Sequence, residues 1–288
     1  MQKIWHRIVV LTAFLAAVTA LTGVGAAAQG RIETKKYKLQ DLQQKITKVV
    51  MTGNDFKDGA FRQDIVQRWH ISPFEFCTLQ EFEQLKTDKN YYFLLITTGQ
   101  FSGEIEPGID FLTFVKGGPE AKDGIGEMFE VVSVPLGTTG GTGREIAVLP
   151  ALIDIIQDFS LRAKERDMQG YRGLSLYNHN IGKLKGKKVL FAEGDIALQV
   201  SVLDRDKLGI ETVKDDDADD AMIRGDEGTV ISYTVAPAEP ASGSRCYKML
   251  IDTGDHTLYY FKRHHISGKA GAGFSRGDLH SIASHNKK

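Results

Sequence analysis

The stretch YYFLLITT at residues 91–98 decides the fold class. It is a nearly continuous run of strand-forming residues without a charge, which favours a strand covered on both faces. Further along, PALIDIIQDFSLRAKER at residues 150–166 places Leu152, Ile155 and Phe159 on one side of a helix, with Pro150 in its first turn. Such a helix can cover a strand of this kind. The sequence therefore predicts an α/β or α+β fold, with a mixed β-sheet and helices packed against it.

Other segments extend this pattern in both directions. Thr78 and Glu81 have the spacing of a capping box and predict a helix over 78–86. Two strands flank a tight turn at Thr253-Gly254 and predict a C-terminal β-hairpin extension. No repeat of fixed period is present in the sequence. The remaining predicted elements are a helix at 58–70 and strands at 46–52, 74–77, 109–116, 128–136, 189–192 and 229–235.

The first 28 residues have the order of regions found in a secretory signal peptide. A short basic start contains Lys3 and Arg7, residues 8–22 are apolar and uncharged, and small residues follow up to Ala28. The apolar run is shorter than the ~20 residues that span a bilayer, so cleavage is favoured over an uncleaved anchor. We expect cleavage near Ala28, a flexible tail at 29–38, and a mature protein in the periplasm or outside the cell.

Charge and cysteine content limit the partners and the chemistry. Removing the signal segment takes the formal net charge from −1 to −3, which argues against nucleic acid as a partner. No later segment is apolar enough to span a membrane. The acidic run at 215–220 predicts an exposed helix start or a boundary between an α/β domain at 39–210 and a β-rich part at 221–288 packed on the same domain. Cys77 and Cys246 form either a disulfide or two buried thiols.

One short motif invites a catalytic interpretation. Residues 250–254, Leu-Ile-Asp-Thr-Gly, resemble the active-site loop of the aspartic proteases, which implies Asp252 as one of two carboxylates that share a proton. The motif occurs once, and Asp255 stands where that family has Ser, Thr or Ala. Asp and Gly also favour a hairpin turn at this place. The hairpin turn is the preferred interpretation.

Histidines near the same turn are the candidate metal ligands. His256 and His264 lie close in sequence to Asp252 and Asp255, and imidazole together with carboxylate suits Zn²⁺. No regular spacing of histidines supports a metal site. Residues 137–143, Gly-Thr-Thr-Gly-Gly-Thr-Gly, offer backbone N–H groups to a phosphate but lack the residues of a P-loop, so a surface loop is favoured.

Taken together, these features predict an exported, non-catalytic protein that binds a protein or a cell-envelope component. No cofactor is predicted. The alternative is a secreted hydrolase with a site near Asp252, Asp255 and His256.

Overall fold

The chain forms two five-stranded sheets with helices between and outside them, in a computed structural model that describes residues 38–101, 103–167 and 173–286. The predicted α/β class with mixed sheets is confirmed. The predicted signal peptide at 1–28, and all of the predicted tail except Lys38, lie outside the described residues.

The first sheet has the strand order β2-β1-β3-β4-β5. Its three leading strands run parallel, and β4 and β5 are antiparallel to their neighbours. Strands at 74–77 and 109–116 have the predicted bounds. The five strands are β1 (Ile46–Val50), β2 (Phe74–Cys77), β3 (Tyr91–Gly99), β4 (Ile109–Lys116) and β5 (Phe129–Thr138).

The second sheet repeats this arrangement. Its order is β7-β6-β8-β9-β10, again with three parallel strands followed by two antiparallel ones. The predicted hairpin is present as β9 and β10, and it is part of this sheet. The strands are β6 (Lys188–Ala192), β7 (Glu211–Val213), β8 (Thr229–Val235), β9 (Arg245–Asp252) and β10 (Leu258–His265).

Helices follow the first, second and fifth strand in both halves. In the first half these are α1 (Asp55–Arg68), α2 (Leu79–Leu85) and α3 (Arg144–Glu165). The predicted capping box at the start of α2 is present, with Thr78 and Glu81 each accepting from the backbone of the other. The second half has α4 (Val202–Leu208), α5 (Asp215–Arg224) and α6 (Arg276–Asn286), so the acidic run begins a helix. Short 3₁₀ turns lie at Leu42–Gln44, Pro119–Asp123, Ile125–Glu127, Gly173–Leu184 and Glu193–Asp195.

The chain is therefore a tandem structural repeat, which the sequence did not reveal. The offset between equivalent strands changes along the chain, because β1 and β6 start 142 residues apart, at 46 and 188, whereas β5 and β10 start 129 apart, at 129 and 258. Insertions of different length thus erase any fixed period. The two repeats meet within residues 166–187, and the predicted boundary at 210–221 falls inside the second sheet.

The two repeats stack head to tail through one large core. Helices α1 and α3 cover one face of the first sheet, and α5 covers the facing side of the second, so that Phe61, Leu152 and Met222 share a single hydrophobic cluster. Helix α2 covers the outer face of the first sheet around Phe82. Helix α6 covers the outer face of the second around Leu279. The order of layers is helix, sheet, helices, sheet, helices.

Helix α3 lies at the centre of this stack. Thirteen of its 22 residues are buried, on all sides of the helix, and it contacts β5, α1 and α5. It begins at Arg144, six residues before the predicted start, so Pro150 lies inside the helix. Pro150 has no N–H to offer to the carbonyl of Ile146, and the surrounding contacts compensate for that loss.

Both cysteines are buried free thiols, one in each repeat. Burial raises the pKa of the Cys77 and Cys246 thiols to about 11. This agrees with the thiol interpretation of the sequence and makes both side chains unreactive at neutral pH. Across the described ranges, no helix combines the length and the apolar character that a membrane span requires.

The central position of α3 leads to a prediction about stability. Replacing Leu152, which is 0% exposed, with alanine leaves a cavity and should lower the free energy of unfolding by about 2–5 kcal/mol. The matched control is Leu198→Ala, because Leu198 is 100% exposed and the same deletion there should change stability by less than about 0.5 kcal/mol. Urea unfolding measures both, and equal effects would contradict the central role of α3.

Candidate functional site

The turn between β9 and β10 holds the first two predicted site residues. Asp252 Oδ1 accepts from the backbone N–H groups of Gly254 and Asp255 at 3.0 and 3.2 Å, and its Oδ2 lies 2.5 Å from Lys187 Nζ. Asp255 Oδ1 accepts from the N–H of Thr257 at 2.9 Å. Both carboxylates therefore shape the hairpin turn, as the preferred interpretation of the motif expects.

His256 links this turn to the first repeat. It has φ of +58°, which is the single positive value at a non-glycine residue among those described. Its Nδ1 lies 2.6 Å from Asp154 Oδ2 on α3, and the same oxygen accepts from Arg68 of α1 at 2.9 Å. The strained backbone is held by this contact between repeats. His256 thus points toward α3, and its ring is paired with a carboxylate that the sequence did not indicate.

His264 lies at the other end of β10. Eight residues of extended chain, roughly 26 Å, separate it from His256, so the two imidazoles share no metal. Its Nε2 donates to the carbonyl of Gly271 at 2.8 Å, and burial lowers its pKa. Within the ranges that the structure covers, no group of three or more His, Cys, Asp or Glu side chains is arranged to hold a metal ion.

The glycine-rich loop at 137–143 binds a carboxylate of its own chain. Glu145 Oε2 accepts from the N–H groups of Thr142 and Gly143 at 3.0 and 2.9 Å. A Cβ at Gly141, where φ is +81°, would lie 2.3 Å from Glu145 Oε1, so this position requires glycine. The N–H groups that the sequence offered to a phosphate are therefore occupied by Glu145.

A cavity of about 340 Å³ opens at the carboxyl ends of β1 and β3. The chain leaves β1 toward β2 on one side, while β3 pairs on the other side, and α1 and α2 cover opposite faces. This is the switch point at which open α/β sheets place their ligands. Polar lining comes from Thr52, Asn54, Lys57, Thr97, Thr98 and Asp110, and apolar lining from Val50, Met51, Leu79, Leu95, Ile96 and Ile125.

Two opposite charges face this cavity. Lys57 Nζ in the first turn of α1 lies 4.0 Å from Asp110 Oδ2 at the start of β4. Asp110 is 8% exposed and accepts a hydrogen bond from the Thr139 hydroxyl at 2.9 Å. Burial raises the pKa of its carboxyl, against the effects of Thr139 and Lys57. Both residues also line a narrow extension of about 30 Å³ that leads between α1 and α3 to Glu145.

The repeat gives this cavity a counterpart in the second half. Lys48 and Leu190 are the third residues of β1 and β6, and they pair with the third residues of β3 and β8. On this register Leu95, which lines the cavity, corresponds to Tyr233 of β8. Leu79 corresponds likewise to Asp215, because each is the first residue of its helix.

In the second repeat the corresponding place is filled by a side chain from the first. The Arg144 guanidinium lies 5.4 Å from the centre of the Tyr233 ring. It pairs with Asp195 and Asp219, each at 3.0 Å, and Asp195 also accepts from the Ser232 hydroxyl at 2.6 Å. The same position of the fold thus binds a polar group in one repeat and is an open cavity in the other.

Sequence reasoning missed Lys57 and Asp110. A signal for Asp110 was present, because it is the one acidic residue in the apolar strand IDFLTFVK at 109–116. Lys57 carries no such signal, since it lies in the polar segment NDFKD at 54–58. The glycine-rich loop did lie near the site, because Gly137 lines its narrow extension.

Comparison with known proteins adds no relative. No protein-family model matches the chain, and no curated protein or solved structure matches it either.

The filled crevice of the second repeat gives a prediction. Arg144→Met leaves the Asp195 carboxylate, which is 1% exposed, without its cation, and should lower the free energy of unfolding by about 3–5 kcal/mol. Adding Asp195→Asn removes the unpaired charge and should restore part of the loss. Chemical denaturation of the single and double variants measures this, and a double variant no more stable than the single one would contradict it.

Proposed function

We propose that this protein is an exported, non-catalytic binding protein that holds a small zwitterionic ligand, such as an amino acid, between Lys57 and Asp110. The observation that carries the proposal is a pair of opposite charges on the wall of one open cavity, 4.0 Å apart. That separation is longer than a charge-assisted hydrogen bond, which is about 2.7–2.9 Å. Each group therefore retains capacity for a ligand.

Size and wall chemistry favour a small ligand with both charges. A volume of about 340 Å³ lies at the lower end of the range for small-molecule sites. A ligand carboxylate can pair with Lys57 and a ligand ammonium with Asp110, so neither buried charge loses its compensation when water leaves. A ligand with one charge satisfies only one of the two. Leu79, Leu95 and Ile96 offer apolar contacts to a side chain.

Export is part of the proposal and rests on the N-terminal sequence. The charge order of residues 1–28 and the small residues before Gln29 support cleavage and a location outside the cytoplasm. A binding protein there meets amino acids and short peptides as free solutes. A protein or envelope component, the partner expected from sequence, can present the same chemistry at a chain end.

The binding test compares amino acids with their own fragments. The probes are the common L-amino acids, the matching amines without the carboxylate, and the matching acids without the amine. At about 100 times Kd a ligand adds ~2.7 kcal/mol to the free energy of unfolding, which raises Tm by roughly 5–10 °C. We expect a rise with at least one amino acid and little with its amine or acid, measured by differential scanning calorimetry.

Variants tie that response to the cavity. Lys57→Met and Asp110→Asn should each abolish the rise in Tm. Lys269→Met is the control, because Lys269 is an exposed lysine of the second repeat that does not line the cavity. A flat response to every amino acid, or an equal response in Lys57→Met, would overturn the proposal.

The alternative of a hydrolase near Asp252, Asp255 and His256 has less support. The cavity is lined by none of the three, and Asp252 is held by Lys187.

A substitution separates the two roles of Asp252. Asp252→Asn should lower the free energy of unfolding by about 1–3 kcal/mol, because the charge-assisted contact with Lys187 is lost. Lys187→Met should add little in that background. Unchanged stability combined with loss of hydrolysis of a casein substrate by the mature chain would favour the hydrolase instead.

A further inference from the structure

A row of hydroxyl groups runs from the cavity across the first sheet. Thr97 of β3 lines the cavity, and its Oγ1 lies 2.8 Å from Oγ1 of Thr113 on β4. Thr113 Oγ1 in turn lies 3.0 Å from Oγ of Ser133 on β5. The Ser133 hydroxyl hydrogen-bonds to the carboxyl group of Glu130. The row thus joins the wall of the cavity to an acidic side chain two strands away.

Glu130 is an acid in an apolar setting. It pairs across the strands with Val115, and its Oε1 is shielded from solvent and has no hydrogen-bond partner among the described residues. Burial raises the pKa of this carboxyl to about 7, and the hydrogen bond from Ser133 opposes that rise. The group therefore changes its charge near neutral pH.

No charged neighbour contributes to this behaviour. The segment that covers this face carries Glu120, Lys122, Asp123 and Glu127, and all four are exposed. Lys116 at the end of β4 pairs with Asp41 at 2.8 Å. Burial and Ser133 are the causes that act on the Glu130 pKa. The row of hydroxyls is its one polar connection.

The charge of Glu130 fixes the direction of every hydrogen bond in the row. A hydroxyl group has a single proton to donate. When Glu130 is ionised it can only accept, so Ser133 donates to it, Thr113 donates to Ser133, and Thr97 donates to Thr113. The Thr97 hydroxyl then presents only lone pairs to the cavity.

Protonation reverses the row. The Glu130 carboxylic acid donates to Ser133, which leaves the Ser133 proton for Thr113 and the Thr113 proton for Thr97. The Thr97 proton is then free to point into the cavity. One proton gained by Glu130 thus appears at Thr97 as a hydrogen-bond donor, with no movement of heavy atoms.

We propose that Glu130 controls, through Thr113 and Ser133, whether Thr97 acts as a donor or as an acceptor in the cavity. For the ligand this rests on the proposed function: below neutral pH the cavity gains a donor suited to a carboxylate or carbonyl, and above it gains an acceptor suited to an ammonium or N–H group. The relay itself needs no ligand.

Nuclear magnetic resonance on the ligand-free protein tests the relay directly. The ¹³C shift of the Glu130 carboxyl and that of Thr97 Cβ are followed from pH 5 to pH 9. We expect both to titrate with one shared midpoint near neutral pH. Glu130→Gln should abolish both responses.

Variants at the middle of the row separate the relay from simple proximity. Thr113→Val keeps the shape of the side chain but removes the hydroxyl, so Glu130 should still titrate while Thr97 becomes flat. Thr113→Ser restores a hydroxyl and should restore the Thr97 response. The fold of each variant is checked by its amide spectrum.

Three results would overturn the relay: no titration of Glu130 in this range, a flat Thr97 in the parent protein, or an unchanged Thr97 response in Thr113→Val. Because no ligand is present, these results are independent of the amino-acid test. A working relay with no amino-acid response would reject the proposed ligand alone.

Discussion

The ion pairs between Arg144 and the carboxylates of Asp195 and Asp219 fix how the two repeats are assembled. A guanidinium that leaves water must meet anions, and two buried or half-buried carboxylates must meet a cation. Neither repeat contains both partners. The start of α3 therefore has to lie at the carboxyl edge of the second sheet. From there α3 runs back between the sheets, where Asp154 meets His256 and Arg68.

This arrangement makes the two crevices unequal although the folds around them correspond. The second crevice receives a side chain from the repeat before it, and its ring and carboxylates are used for that purpose. The first repeat has no counterpart of Arg144 among the described residues, and its crevice has Leu95 and Leu79 where the second has Tyr233 and Asp215. Lys57 and Asp110 supply its charges instead. A position that holds structure together in one repeat is thus available for binding in the other.

Features that depend on near neighbours in the sequence could be predicted, and features that depend on packing could not. The capping box of Thr78 and Glu81 and the turn at Asp252 involve atoms a few residues apart, so their spacing was informative. The start of α3 was placed too late, because the Glu145 carboxylate that closes the glycine loop cannot be told from an ordinary surface acid. The strand assignments predicted the class but not the division into two sheets. The cavity joins residues from 50 to 125, and Lys57 meets Asp110 only through the pairing of β1, β3 and β4.

The shared core also determines what the smallest folding unit is. Cutting the chain within residues 166–187 would leave the apolar side of α3 in water, and it would leave Asp195 and Asp219 without their cation. Each fragment would keep a complete set of strands yet lose the surface that stabilises it. Domains are usually separated at points where few contacts cross, and here the contacts that cross are the most buried ones. The two repeats should therefore melt together in one cooperative transition, as a single domain built from two copies of one pattern.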